Sequence, residues 1–204
     1  LTVRRQNIWR PFLPELLIKV FLEATVTNVH DEAVATEFST NLRRATWTDH
    51  ENAEFGRFMQ ALLKAQLSLQ QYGALTGQLY FVYDAIEAAA EKQENDPVAG
   101  KFIFHELDRK AAIEQDMAFY YGDDWRSTVK PLPTTAAYVA RINEVAPTWG
   151  SGFLAHHYTR YMGDLSGGIQ MRKVGESTYG LSEDGLNFYH FPQIQDATKF
   201  KINY

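Results

Sequence analysis

The sequence predicts an all-α fold, and three observations predict it. Apolar residues recur at spacings of three and four rather than alternating, the long periodic stretches end at proline, glycine or asparagine clusters, and few segments show the period of two that a half-buried strand requires. The first element is a short helix begun by Pro14 and running to about residue 25, with proline in its first turn. A second runs from Phe38 to Met59, with Ser39 or Thr40 as N-cap. The third spans about Leu67 to Lys92, with Leu75, Leu79, Val82, Tyr83 and Ile86 on one face, and Glu94-Asn95-Asp96-Pro97 stops it. Further helices follow from about Phe104 to Tyr120, closed by Gly122, and from Thr134 to Val145 after the Pro131/Pro133 loop. A helix from Gly152 to about Glu176 is the most unusual, and Asn187 to Tyr204 reads as partly helical. There is no internal repeat and no low-complexity tract.

Composition narrows the chemistry. The 204 residues carry 14% aromatics and a formal charge of −5, so there is material for the walls of a flat apolar ligand and no global field that favours nucleic acid. The chain has no cysteine, which excludes disulfides, thiolate catalysis, iron–sulfur clusters and cysteine zinc sites among its own residues. A metal would be held by histidine or carboxylate. No run reaches the ~20 apolar residues of a membrane helix; Phe12 to Val26 is broken by Glu15, Lys19 and Glu23. The chain starts with Leu1, which leaves a removed leading segment open.

Six histidines are present, none in a tight metal-binding pair. A single histidine suits heme iron, which needs one protein ligand. His50 lies mid-helix with Glu54 one turn later, where a carboxylate can fix the imidazole tautomer and strengthen the ligand. A solvated His–Glu pair is the other reading. The second feature is Arg160-Tyr161-Met162-Gly163-Asp164-Leu165-Ser166-Gly167-Gly168. Each glycine within a helix costs roughly 1 kcal/mol against alanine. Gly163 and Gly167 share a face without side chains, onto which a flat ligand or another helix can pack, and Asp164 beside it can organise water. Arg43 lies on nearly the same face as His50, and Lys199 and Lys201 flank Phe200. Such cations suit a ligand with an apolar body and carboxylate edges, or a plain solvated surface.

At this point the sequence resembles the heme oxygenases, particularly the animal type. The stretch Tyr158 to Gly168 is similar to that family's signature helix. His50 to Met59, Leu79 to Tyr83, Leu107 to Asp116 and Ala197 to Lys201 also match, in the same order, from about Phe38 to Tyr204. The resemblance implies a helical domain over 38–204 with heme b between a proximal and a kinked distal helix. His50 would ligate the iron and Glu54 would hydrogen-bond its other nitrogen. Gly163 and Gly167 would let the distal backbone approach the heme beside Ser166. Asp164 would hold a distal water network with Tyr83, Thr159 and Arg160. Arg43, Tyr158 and Lys201 would meet the propionates.

The implied reaction is cleavage of heme, cofactor and substrate at once, to biliverdin, CO and ferrous iron, using O2. No GxGxxG follows a strand, so electrons would come from outside: NADPH through a reductase, or a ferredoxin. Arg109, Lys110 and Arg126 are candidates for its docking surface, against solvated surface charge as the other reading. A monomer is expected, cytoplasmic as given, or on the cytosolic face of the endoplasmic reticulum where a C-terminal anchor has been removed. Two departures stand out. The family continues beyond the position of Tyr204 with helices that close one side of the pocket. Residues 1–37 form an extension in which Phe12, Leu13, Leu16, Leu17, Val20 and Phe21 are expected to make an amphipathic helix covering that side. A heme carrier on the same fold, or a helical domain without heme, are the competing functions; the former needs no Asp164.

Overall fold

The computed structural model describes residues 37–204; the expected helix from Pro14 and the amphipathic cover lie outside them. Among the described residues every regular element is helical, as predicted. No described helix is long and apolar enough to cross a membrane. The chain divides into two compact units, residues 1–66 and 67–204.

The described part of the first unit is helix α1, Glu37–Glu54, and helix α2, Arg57–Leu63. The expected single helix from Phe38 to Met59 is therefore interrupted. Gly56 takes an extended conformation (ψ 146°) and starts α2 as a separate turn. Ser39 and Thr40 lie inside α1 rather than capping it, because the helix is already running at Glu37.

The second unit is built on α3, Leu69–Gln93. Ser68 caps it reciprocally: its hydroxyl accepts the Gln71 N–H at 3.2 Å, while the Gln71 side chain accepts the Ser68 N–H at 2.8 Å. Its Tyr83, Ile86 and Ala89 are buried in one apolar core with Ile113, Met117, Ile142, Phe153, Tyr161 and Leu165 from the helices that follow.

Two single 3₁₀ turns, Ala99–Phe102 and His105–Leu107, lead to α4, Lys110–Tyr121. Its start falls later than the sequence suggests because the cap is tertiary. Glu87 of α3 accepts the N–H groups of Arg109 (2.6 Å) and Lys110 (2.8 Å), satisfying orphan donors of the new helix. A one-turn helix α5, Trp125–Thr128, is an element the periodicity did not suggest. Helix α6, Pro133–Val145, opens with proline in its first turn, where its missing N–H loses nothing.

Helix α7 runs from Gly150 to Tyr179 and ends at Gly180, whose φ of 67° is the left-handed cap that glycine adopts without strain. A 3₁₀ turn, Asn187–Tyr189, and helix α8, Ala197–Asn203, complete the chain, with the Asp196 carboxylate capping α8 at the Lys199 N–H.

Candidate active site

The glycine-rich stretch lies in the middle of α7. At roughly 100° per residue, Gly163 and Gly167 fall on one face, with Asp164 at one margin and Ser166 at the other. The glycines are not equivalent. A Cβ at Gly168 would sit 3.2 Å from the Tyr189 ring, so that glycine serves helix packing. A Cβ at Gly163 or Gly167 would meet no atom of the described residues within 4 Å. Packing among the described residues therefore does not explain those two, and what they provide there is a bare strip of helix backbone.

Asp164 borders this strip and is nearly buried, its side chain 10% exposed. Tyr83 of α3 donates its phenol proton to the carboxylate, and Arg160, one turn earlier on α7, pairs with it at 3.6 Å. Burial raises the Asp164 carboxyl above the ordinary aspartate range, while Arg160 and the Tyr83 hydrogen bond pull it back. Burial, and then the charge of Asp164, pushes the Tyr83 phenol well up. The Arg160 guanidinium lies 5.4 Å from the Tyr83 ring centre, and its Nε is a buried donor with no partner among the described residues. A buried unpaired donor of this kind is where an ordered water belongs. A cavity of about 360 Å³ reaches Asp164 and is walled by Leu165, Ile169, Tyr189, Phe191 and Ile194.

The structure brings Tyr83, Arg160 and Asp164 together, and leaves Thr159 out of that set. The Thr159 hydroxyl instead donates to the Ala155 carbonyl of its own helix at 2.7 Å. At the other margin, the Ser166 hydroxyl donates to the Met162 carbonyl at 2.8 Å and accepts from Lys201 Nζ of α8 at 3.2 Å. Tyr158 is 55% exposed on α7.

His50 lies on α1 in the first unit. Its Nδ1 faces Glu54 at 3.5 Å, and its side chain is 56% exposed. Burial raises the Glu54 carboxyl, while His50 and Glu51 act in opposite directions on it. The Trp47 ring stacks on the imidazole at 5.6 Å, and Arg43 reaches over Trp47 at 5.4 Å. A half-exposed imidazole with one nitrogen facing a carboxylate leaves Nε2 for a metal. Among the described residues no cluster of three histidine, aspartate or glutamate side chains is placed to hold a metal ion.

The docking reading of Arg109 is corrected. Arg109 is only 5% exposed. Its guanidinium donates to the carbonyls of Leu107 (2.9 Å) and His190 and stacks 4.0 Å from the Phe191 ring centre. Lys110 and Arg126 remain on the surface, their side chains 41% and 56% exposed, each beside a carboxylate: Asp84 at 2.5 Å and Glu114 at 2.6 Å. Arg109 ties α4 to the loop that walls the cavity, and is no free cation.

The sequence also gave no role to Asp116 or Glu87. Asp116 is fully buried and accepts from the Asn187 N–H, the Asn187 side chain and the Phe188 N–H at 2.8–2.9 Å. It thereby fixes Phe188, whose ring meets the Tyr83 ring edge-on at 5.2 Å.

Comparison with known proteins gives this arrangement a family. The model of the family described as heme oxygenase matches residues 36–204. Heme oxygenase 1 of Synechocystis sp. is 39% identical over 84% of this chain and 71% of its own length. Heme oxygenase 1 of Rattus norvegicus is 39% identical over 85% of this chain, which spans only 61% of the rat protein. Among solved structures, Synechocystis heme oxygenase-1 in complex with heme covers 81% of this chain, and 75% of its own, at 41% identity and a TM-score of 0.77. The heme oxygenase of Leptospira interrogans covers 81% of each chain at 37% identity and a TM-score of 0.76.

Proposed function

The chain belongs to the heme oxygenase family, and from that premise we propose that it cleaves heme oxidatively to biliverdin, CO and ferrous iron, with α7 as the distal wall and His50 as the iron's protein ligand. The observation that carries this reading is the bare strip at Gly163 and Gly167, bordered by the buried Asp164. Heme supplies the iron that binds O2 and the ring that is opened.

The remaining work falls to the chain's own residues. His50 offers Nε2 to the iron while Glu54 holds Nδ1, which makes the imidazole a better donor. The glycine strip lets backbone approach the porphyrin plane and crowd the distal side. Asp164 holds water at the margin of the strip, and the unpaired Arg160 Nε gives that water a second anchor. Protons then pass through ordered water instead of from a strong acid set directly over the iron. Tyr83 keeps the carboxylate oriented by donating to it. Lys201 beside Ser166, exposed Tyr158 and Arg43 take the propionates, which fixes the rotation of the ring and so the carbon that is attacked. Electrons come from a separate protein, a reductase drawing on NADPH or a ferredoxin, and the enzyme works as a monomer.

The variant Asp164→Ala tests the reading. It should bind hemin as the parent does and form no biliverdin in the presence of reductant and air. A biliverdin yield equal to the parent's would contradict the role given to Asp164.

A further inference from the structure

Helix α8 is held to α7 at two places. One is the Lys201–Ser166 contact. The other lies about two and a half turns away along α7, where His157 Nδ1 and the Tyr204 hydroxyl share a hydrogen bond of 2.8 Å and the two rings stack at 5.9 Å with only 7° between their planes. His157 is 2% exposed. Phe153 and Tyr161 of its own helix cover it at 5.5 and 4.5 Å. The Tyr204 ring in turn touches Phe102, Phe104 and Tyr158. None of the chemistry proposed above uses His157.

The surroundings of this imidazole suit its neutral form alone. Among the described residues the titratable groups that face it are Tyr161 on α7 and Tyr204 at the end of α8, and burial pushes both phenols up, so neither supplies a negative charge to hold a protonated ring. Burial pushes His157 itself down to about 4. We infer that His157 is a positioning residue: its neutral ring latches α8 to α7 through Tyr204, holding Lys201 beside Ser166 at the margin of the bare strip and Tyr158 against the Tyr204 ring, and protonation opens the latch. The inference rests on the reading of Lys201 and Tyr158 as contacts for the carboxylates of the ligand. Undocking takes Tyr204 off the imidazole and lets water reach it, which moves its titration towards the ~6.5 of a free histidine, so acid favours the undocked helix. Between pH 7.5 and 5.0 the docking equilibrium falls by up to roughly 30-fold, the limit set by a fully solvated ring.

The test is hydrogen–deuterium exchange over residues 197–204 in the chain without hemin, at pH 7.5 and 5.0, corrected for intrinsic rates. His157→Gln is the companion variant, since glutamine still offers Tyr204 a hydrogen-bond partner and does not titrate. The parent should lose several-fold, up to about 30-fold, in protection at pH 5.0, and the variant should be protected about equally at both. Equal pH sensitivity in the two proteins, or none in either, overturns the latch. Hemin affinity supplies the second arm: in the parent it should fall with acid, and His157→Gln should remove most of that fall. A Lys201→Ala variant that binds hemin as tightly as the parent would refute the propionate reading of Lys201, while the exchange result would still decide the latch.

Discussion

Tyr83 on α3 and Asp164 on α7, 81 residues apart in the chain, are joined by a hydrogen bond in which the phenol donates to the carboxylate. That bond favours the ionised aspartate against the burial that disfavours it. In Tyr83→Phe the carboxyl should be pushed further up. A carboxyl raised in the folded state holds its proton above the pH at which the unfolded chain releases it. Stability is therefore greatest at low pH and is lost as pH rises through the window from the unfolded value to the folded one. The variant should be destabilised by about 1–3 kcal/mol at pH 8 and by clearly less at pH 5. Denaturant unfolding at the two pH values measures this; an equal loss at both would deny the coupling.

Gly163→Ala and Gly167→Ala should each make the fold more stable, by up to ~1 kcal/mol, because the added methyl group meets nothing and the helix gains. Each should also weaken hemin binding or turnover by filling the strip. Gly168→Ala should destabilise the fold, since its methyl would press on Tyr189. Thermal unfolding and hemin titration of the three variants separate the roles; a destabilised Gly163→Ala would point to a packing role instead.

His50→Ala should bind hemin weakly and regain a ligated spectrum when imidazole is supplied. Glu54→Ala should retain the ligand and bind hemin roughly 10- to 100-fold less tightly, as carboxylates behind metal-binding histidines generally require. A normal His-ligated spectrum in His50→Ala without imidazole would move the ligand elsewhere.

Arg109→Ala should lower stability by on the order of 3 kcal/mol, because two backbone carbonyls lose a charged, buried donor. The dependence of electron transfer on ionic strength should stay that of the parent. A stable Arg109→Ala with weakened donor affinity would restore Arg109 to a docking surface.

How much of this was legible in the sequence differs from residue to residue. The His50–Glu54 relation follows from helical spacing alone, and the odd glycines of α7 announce themselves by their helix penalty. Their division of labour did not, because Gly168 is explained by Tyr189, which reaches it only through the fold. The link from Tyr83 to Asp164 came from the family resemblance, since no local periodicity connects two helices. Arg109 was misread because a charged cluster looks like surface until the Glu87 cap and the Phe191 ring are seen around it. The start of α4 was misplaced for the same reason, its cap being a side chain from another helix. His157 carried a signal that went unused: Phe153, His157, Tyr161 and Leu165 recur every four residues, the stripe of a buried face.

The most direct measurement is an absorption time course of the chain with one equivalent of hemin, given ascorbate or a reductase in air. The account predicts loss of the Soret band and growth of the broad biliverdin absorption, abolished in Asp164→Ala. A stable Soret band that merely shifts on reduction would contradict it and leave a protein that binds heme without opening it.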